Sequence, residues 1–363
     1  MRCVLLMIST NDSILVFEYF TASGEKDKCI ISEAEAMLFA LIEDLSDYNL
    51  DVVVNKSYEN IISKYENVNP ILIETDIISW LNDNACNFNK AIFIAAENNN
   101  NLYNITKILE ENDIFIYTSS SEACLISSDK SLTYEKISNT VTQPRTFRFK
   151  IDSKGYWKRA ITNLHEKWQA EDPFTPLKLI IKPLIGVDCE DIVIIENIED
   201  LGYDLEEIFP PESRIIVQEF IEGTDVSVSL ICHDGKATPI SLNKQFVELK
   251  NDKGTYVGGK LPFESEYKDE AFSIAKKACE SVEGLNGFVG VDLIISADEK
   301  DIYPVYVLEI NSRFTTPYVG LRKIANFNLA KTIIEGNIEE TDISLDGEVE
   351  FNKQGDNLDI RRI

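Results

Sequence analysis

Two strand-like runs near the carboxyl end place acidic and amide side chains where buried β-structure is expected. Val, Ile, Tyr and Leu, which favour strands, dominate both runs, residues 287–294 and residues 305–314. The segment between them, residues 296–301, has the composition of a turn, so the pattern predicts a β-hairpin. In a symmetric hairpin Asp292 lies opposite Glu309.

The same register places Gly290 opposite Asn311, on the face that also carries Glu309, and leaves Leu308 and Ile310 on the other face. Two carboxylates facing each other with Cβ atoms about 5 Å apart destabilise a sheet unless a cation lies between them. Because Asp292, Glu309 and Asn311 offer only hard oxygen ligands, we expect Mg²⁺, with Mn²⁺ as the alternative metal. Magnesium keeps positions open for phosphate oxygens, so the site implies a nucleotide. The competing interpretation is that Asp292 begins a turn and Glu309 faces solvent from an edge strand.

Further segments, from about Ser119 to about Ala330, resemble the ATP-grasp superfamily of ligases. In that family the last metal-binding strand commonly carries Glu-x-Asn-x-Arg, which matches residues 309–313, and an earlier strand supplies an Asp, which matches Asp292. A Lys-Pro pair ends a strand upstream, which matches Lys182 and the proline after it. The resemblance implies that Lys182 reaches the phosphates as a point charge. Taken alone, a solvated lysine at a strand end would look the same.

The next matching segment is residues 215–228. In the family this segment links two subdomains, its backbone meets the adenine edge, and nearby carboxylates meet the ribose. The resemblance therefore implies a ribose contact at Asp225 and nucleotide contacts along the hinge. The hinge residues are Glu219, Phe220 and Ile221, and Gln218 just before them is a further nucleotide-binding candidate. An ordinary hairpin with Gly223 in its turn is the alternative.

The resemblance also implies a second phosphate-facing lysine, at the start of a helix that precedes the Lys182 strand. Lys130 is the candidate, and Ser128 is suited to cap that helix. Surface helices often begin with Asp and Lys, so a plain surface helix is the alternative.

Residues 184–191 depart from the family, which has a glycine-rich flap over the phosphates at this point. Here only Gly186 supplies the conformational freedom that lets backbone N–H groups close on phosphate oxygens. Acidic side chains at Asp188, Glu190 and Asp191 would repel a triphosphate unless they face away or meet a metal. The departure weakens the expected binding of phosphates by the flap backbone and leaves the expected metal site unchanged.

The composition is that of a soluble globular protein of 363 residues, 44% hydrophobic and 27% charged. A formal net charge of −27 argues against nucleic acid as a main partner, because binding a phosphate backbone needs a basic face. The seven cysteines include no C-x-x-C pair, which is typical of a reducing cytoplasm. The apolar start, residues 1–8, is too short for a membrane span, so we expect a cytoplasmic protein without a membrane partner. The oligomeric state stays open.

Strands and helices alternate in the first third of the chain, which predicts a small parallel α/β domain. The predicted strands are 14–20, 51–54, 90–95 and 114–117, and the predicted helices are 32–45, 76–82 and 101–112. Such sheets bind ligands beyond the carboxyl ends of their strands, and the predicted loop at residues 21–24 is such a place, with a plain connection as the alternative.

Beyond residue 119, helices mix with antiparallel strands, including a hairpin around residues 234–235 and helices near 270–283 and 321–335. The fold class is therefore α/β and α+β, an ATP-grasp fold preceded by a parallel α/β domain. The predicted units are residues 1–118, 119–217 and 218–363.

The chemistry implied by the resemblance joins a carboxylate to an amine. ATP phosphorylates the carboxylate, and the amine attacks the acyl phosphate to form an amide, releasing ADP and phosphate. Lys130 and Lys182 would stabilise charge during the transfer, and Arg313 is a fork suited to the acyl phosphate or the substrate carboxylate. A salt bridge to a neighbouring acid is the alternative role for Arg313.

Within the superfamily, residues 14–24 and 309–321 look like the archaeal tyramine–glutamate ligases of methanofuran synthesis. Those enzymes are similar over nearly the whole chain and join the γ-carboxyl of glutamate to the amine of tyramine. The resemblance implies small-molecule substrates of that kind. Two alternatives remain open: an ATP-grasp ligase for another amino acid or amine, and a nucleotide-binding module without turnover.

Overall fold

The first part of the chain folds into a parallel sheet of five strands. The computed structural model describes residues 13–186, 191–202, 204–250, 253–354 and 357–363. The strands are β1 (Ile14–Glu18), β2 (Leu50–Asn55), β3 (Val68–Ile73), β4 (Lys90–Ile94) and β5 (Phe115–Ile116). Their spatial order is β3-β2-β1-β4-β5, and every pairing is parallel. The predicted parallel α/β arrangement is confirmed, with β3 as an additional strand.

Helices cover both faces of this sheet. They are α1 (Tyr19–Ser23), α2 (Lys28–Asp44), α3 (Glu59–Ile62), α4 (Ile77–Asn84) and α5 (Asn101–Glu111). All residues of β1 are buried, because alternate side chains pack against α2 on one face and against α4 and α5 on the other. The continuous apolar run of β1 is thus explained by burial on both sides.

The prediction of a loop at residues 21–24 was wrong, because α1 begins directly after β1. The Glu18 side chain accepts hydrogen bonds from the backbone N–H groups of Phe20 at 3.1 Å and Thr21 at 2.7 Å. Gly24, with φ of 73°, then ends the helix in the left-handed conformation. The strand predicted to reach Phe20 therefore stops at Glu18.

The middle of the chain forms an antiparallel sheet of four strands, preceded by two helices. The helices are α6 (Ser121–Ser128) and α7 (Lys130–Ile137), and the strands are β6 (Thr146–Lys150), β7 (Leu179–Pro183), β8 (Val193–Ile195) and β9 (Arg214–Glu219). The order is β6-β9-β7-β8. Helices α8 (Tyr156–Glu171) and α9 (Asp204–Ile208) belong to this unit, and Trp157, Ile161 and Trp168 of α8 form its core with the strands.

The last part of the chain contributes an antiparallel sheet of seven strands. They are β10 (Gly223–His233), β11 (Lys236–Lys250), β12 (Lys253–Leu261), β13 (Gly287–Ser296), β14 (Val305–Asn311), β15 (Val349–Gln354) and β16 (Asn357–Arg362). The order is β14-β13-β10-β11-β12-β15-β16. The predicted hairpin at residues 234–235 joins β10 to β11. Helices α10 (Lys268–Glu280), α11 (Pro317–Leu321) and α12 (Leu329–Glu335) accompany this sheet.

The prediction of one helix over residues 321–335 was wrong, since α11 and α12 are separate. Pro317 lies in the first turn of α11, and Asn328 caps α12 by accepting a hydrogen bond from the Lys331 backbone at 3.0 Å. These two starting signals divide the apolar segment into two short helices.

The parallel sheet and the seven-stranded sheet share one hydrophobic core, which includes side chains of β1, α2, α11, α12 and β15. Tyr318 donates its hydroxyl hydrogen to Asp44 at 2.6 Å, and Arg322 pairs with the same carboxylate at 2.8 Å. The first domain is therefore docked firmly beside the segment that follows β14.

The chain crosses from β9 to β10 through residues 220–222. The predicted boundary at residue 217 falls inside β9, and α6 and α7 pack against the core of the seven-stranded sheet. The division into residues 1–118, 119–217 and 218–363 stays a prediction. Across the described residues, no helix combines the length and apolar character that crossing a bilayer requires.

Candidate active site

The hairpin formed by β13 and β14 has the predicted pairing at its polar end. Asp292 lies opposite Glu309 and Gly290 lies opposite Asn311, so that register is confirmed. A bulge follows Asp292, because Leu293 pairs with Val307 and Leu308 has no partner on β13 in the register. Leu308 therefore also reaches the cleft that Glu309 and Asn311 line. The expectation that Leu308 points to the opposite face was therefore wrong.

Asp292 lies at the base of this cleft among hydrogen-bond donors. Its Oδ1 accepts from Gln245 Nε2 at 2.9 Å, and its Oδ2 accepts from Asn311 Nδ2 at 3.0 Å. Burial, followed by the negative charge of Glu309, raises the pKa of Asp292 to about 8. Burial also acts to raise the pKa of Glu309, but the ammonium groups of Lys130 and Lys182 outweigh it and lower that pKa to about 2.

This donor set fits a hard divalent cation. Two close carboxylates in a partly desolvated site resist double ionisation unless positive charge is supplied, and their ligand atoms are oxygens. The part of the chain that the structure describes contains no group of three or more His, Cys, Asp or Glu side chains arranged for a metal. A cation here would therefore depend on Asp292, Glu309 and the amide of Asn311.

Lys130 is the first residue of α7 and points toward the same hairpin. Its Nζ lies 3.2 Å from Oε2 of Glu309 and donates to the carbonyl of Gly186 at 3.0 Å. The expected cap was wrong: Asp129 rather than Ser128 accepts the hydrogen bonds of the first turn, since Ser128 still belongs to α6. In the flap, Asp188 and Glu190 lie outside the described residues.

Lys182 is buried on β7 between the hairpin and the hinge. Its Nζ donates to Oε1 of Gln218 on the adjacent strand β9 at 3.1 Å, and the Gln218 amide donates to the hydroxyl of Thr146 at 2.8 Å. Burial raises the pKa of Asp225, and the positive charge of Lys182 opposes that rise. The positive charge of Lys182 therefore acts on the carboxyl groups of both Glu309 and Asp225.

The hinge is fixed through Glu219 and its neighbour. Arg145 binds the Glu219 carboxylate with two nitrogens, each at 2.8 Å, and packs over the ring of Trp168. The backbone N–H of Glu219 donates to the carbonyl of Arg145 at 2.9 Å, and that of Phe220 donates to Lys178 at 3.0 Å. The Glu219 side chain and the backbone N–H groups of Glu219 and Phe220 are thus already hydrogen-bonded within the protein.

Arg313 follows the hairpin and faces the cleft from the side of the parallel sheet. Its Nε lies 2.8 Å from Oε2 of Glu97, and its Nη1 donates to the Phe314 carbonyl at 3.1 Å. The salt bridge considered as an alternative is therefore present, and Arg313 nevertheless lines the cleft.

All of the predicted site residues line one cleft of about 640 Å³ between the sheets. They are Lys130, Lys182, Gln218, Glu219, Phe220, Ile221, Asp225, Asp292, Glu309, Asn311 and Arg313. Lys244 of β11 and Gly259 of β12 line it as well. Sequence reasoning missed Gln245, because a polar residue on a strand carries no signal of its own. It also missed Glu97, because the contact of Glu97 with Arg313 joins segments that are far apart in the sequence.

Comparisons with known proteins agree with this geometry. The family model described as an ATP-grasp domain matches residues 127–317. The chain belongs to the ATP-grasp family. This match spans α7, the four-stranded sheet, the hinge and the metal-candidate hairpin, and the predicted fold class and family are confirmed.

Two curated relatives match nearly the whole chain. A tyramine–L-glutamate ligase from Methanocaldococcus fervens is 33% identical over 340 residues, covering 92% of this chain and 97% of the relative. A tyramine–L-glutamate ligase from Methanocaldococcus jannaschii is 32% identical over 343 residues, covering 92% of each. The prediction of an enzyme that forms carbon–nitrogen bonds, an ATP-grasp ligase, is thereby confirmed.

Solved structures show the same fold. An ATP-grasp superfamily protein from Archaeoglobus fulgidus superposes with a TM-score of 0.69 at 23% identity, covering 97% of this chain and 99% of that chain. An N5-carboxyaminoimidazole synthetase from Staphylococcus aureus, solved with ADP, gives a TM-score of 0.65 at 16% identity, covering 94% and 82%.

Proposed function

We propose that this ATP-grasp ligase joins the γ-carboxyl group of L-glutamate to the amine of tyramine. The observation that carries the proposal is the similarity to two curated tyramine–L-glutamate ligases over 92% of the chain. The cleft adds support, because lysines, a hinge and paired acids are grouped in one place as phosphoryl transfer requires. We also propose that the reaction belongs to methanofuran synthesis, as the resemblance implies, and that the protein is cytoplasmic, as its cysteine usage indicates.

The reaction has two steps. An oxygen of the γ-carboxylate attacks the γ-phosphorus of ATP, the bond to the β-γ bridging oxygen breaks, and ADP leaves. The tyramine nitrogen then attacks the carbonyl carbon of the acyl phosphate, phosphate leaves with the bonding electrons, and the nitrogen loses a proton to give the amide. Activation is needed because a carboxylate repels nucleophiles and has no adequate leaving group.

Lys130 and Lys182 are proposed to bind the phosphates and balance the charge of in-line transfer. Both lie close enough to Glu309 to lower its pKa, so their positive charge is concentrated at the end of the cleft that holds the paired acids. Asp292, Glu309 and Asn311 would hold Mg²⁺, or Mn²⁺ in its place. When bound, that ion would neutralise phosphate oxygens.

The hinge is proposed to bind adenine, with Asp225 at the ribose. Because the N–H groups of Glu219 and Phe220 already donate within the protein, the N–H of Ile221 is the proposed donor to the adenine ring. Gln218 would contact the nucleotide from β9, where it also holds the Lys182 ammonium in place. Arg313 is proposed to meet the substrate carboxylate and the acyl phosphate formed from it.

The proposal is tested by incubating the purified protein with ATP, Mg²⁺, L-glutamate and tyramine. ADP and phosphate should appear together with γ-glutamyl-tyramine, and ADP release should depend on both substrates. Release of AMP and pyrophosphate would contradict the acyl phosphate route. A panel of amines and amino acids, with phenethylamine and aspartate as near analogues, would expose a ligase with different substrates. Tight ATP binding without turnover for any pair would instead indicate a nucleotide-binding module.

A further inference from the structure

Glu97 connects the parallel sheet to the catalytic cleft. It lies just beyond the carboxyl end of β4, and it is 5% exposed. Its Oε2 lies 2.8 Å from Nε of Arg313, while Nη1 of Arg313 donates to the carbonyl of Phe314 at 3.1 Å. Two anchors on different atoms fix the plane of a guanidinium group as well as its position.

The contact is not the one expected of a purely stabilising ion pair. Arg and a carboxylate are most strongly joined when two parallel hydrogen bonds use both oxygens, as in the Arg145–Glu219 pair of this chain. In contrast, Oε1 of Glu97 is buried and has no hydrogen-bond partner among the described residues. A buried carboxylate oxygen without a donor is unfavourable. The Glu97–Arg313 contact therefore orients the guanidinium group of Arg313, and it stabilises the fold less than a two-bond ion pair would.

Glu97 also lies at the carboxyl ends of the central strands of the parallel sheet. In the sheet order β3-β2-β1-β4-β5, β1 and β4 are neighbours. The chain leaves β1 toward β2 on one side and leaves β4 toward β5 on the other, so the two connections diverge at the carboxyl ends of these strands. Open α/β sheets use such an edge to place functional side chains. The bonds of Tyr318 and Arg322 to Asp44 hold the same domain against the segment that follows Arg313. The domain that carries Glu97 is thus held against the segment that carries Arg313 by contacts other than the Glu97–Arg313 pair.

We propose that Glu97 is a positioning residue for the ligase reaction, holding the guanidinium of Arg313 in the plane in which it meets the carboxylate substrate and its acyl phosphate. The inference rests on the proposed role of Arg313. It assigns the first domain a part in turnover, although that domain lies outside the matched ATP-grasp segment.

A double-mutant cycle on the full chain tests the inference, using Glu97→Ala, Arg313→Ala and the double variant. Glu97→Ala should lower kcat roughly 10-fold, because misplacing a catalytic group costs transition-state stabilisation, while the KM for ATP stays within about twofold. In the Arg313→Ala background the same change should have no further effect on kcat. Glu97→Asp should retain more activity than Glu97→Ala.

Glu74→Ala is the matched control. Glu74 also follows a strand of the parallel sheet, and it pairs with Lys56 at 3.0 Å, at the surface of the protein. Its removal should leave kcat unchanged. If Glu97→Ala does not fold, Glu97→Gln keeps the volume and should show the same dependence on Arg313.

An equal fold-loss of kcat from the Glu97 change in both backgrounds would overturn the inference, as would a wild-type kcat for Glu97→Ala. Failure of the proposed substrates is separately visible, because the wild-type protein would then be inactive with glutamate and tyramine but active with another pair from the panel. The cycle is measured with whichever pair the wild-type protein uses.

Discussion

The ammonium group of Lys130 lies 3.2 Å from Oε2 of Glu309, which joins the start of α7 to the paired acids of β13 and β14. The same ammonium donates to the carbonyl of Gly186 after β7. A single side chain therefore connects three elements from different parts of the chain. Their relative positions define the end of the cleft where phosphoryl transfer is proposed.

Replacing Glu309 by Gln should abolish most turnover without unfolding the protein. The amide keeps the shape but removes the charge that a divalent ion requires, so kcat should fall by about 10² or more. Because Lys130 and Lys182 stabilise the ionised Glu309 carboxylate, losing its charge should lower the unfolding temperature while the protein still folds. ADP release and thermal unfolding of the variant test both points, with Glu299→Gln, in the exposed turn of the same hairpin, as the control. Near-normal kcat would remove Glu309 from the site.

Removal of divalent ions should stop turnover reversibly. Asp292, Glu309 and Asn311 supply oxygen ligands, which select hard cations, so EDTA should abolish ADP release and added Mg²⁺ or Mn²⁺ should restore it. In Asn311→Ala the Mg²⁺ concentration that gives half-maximal activity should rise. Full activity of the chelated protein would rule out a required metal.

Replacing Lys182 by Met should weaken both nucleotide binding and transfer. The side chain volume is kept, but the charge beside Gln218 and Glu309 is lost. We expect the Kd for ATP to rise roughly 10-fold, since a charge-assisted contact contributes on the order of 1.5 kcal/mol or more. Calorimetric titration with ATP measures this effect, and Lys167→Met on the exposed face of α8 is the control. An unchanged Kd and kcat would show that Lys182 does not face the phosphates.

Glu18 should make stability fall as pH rises. Burial raises its pKa from 4.5 to about 7, so the folded protein binds this proton more tightly than the unfolded chain. The favourable contribution is complete below about pH 4.5 and is lost as pH rises to about 7, a change of about 3 kcal/mol. Urea unfolding of the wild type and of Glu18→Gln at pH 5 and pH 7.5 isolates this group. The variant should gain relative stability at pH 7.5, and parallel pH profiles would disprove the assignment.

The pairing of Asp292 with Glu309 could be predicted from sequence because a hairpin with a marked turn fixes its own register. The period of two then assigns Glu309 and Asn311 to one face. The bulge beside Asp292 could not be read, since it adds one residue without a compositional signal and so turns Leu308 to the cleft.

Contacts between distant segments escaped prediction for a different reason. Glu97 and Arg313 are separated by 216 positions, and nothing local in either segment indicates the other. The early end of β1 followed from the Glu18 side chain, which caps α1 and so overrides the strand preference of Tyr19 and Phe20.

All strands of the four-stranded sheet come from one continuous stretch, from Thr146 to Glu219, bounded by α7 on one side and by the hinge on the other. The unit that carries Lys182 and Gln218 is therefore an insertion into the rest of the protein, which holds the hairpin acids and Arg313. None of its strands pairs with β13 or β14, which belong to the seven-stranded sheet. The proposed nucleotide site is accordingly assembled from two separately built sheets, so a change in how they meet would alter the grip on the phosphates without changing either sheet.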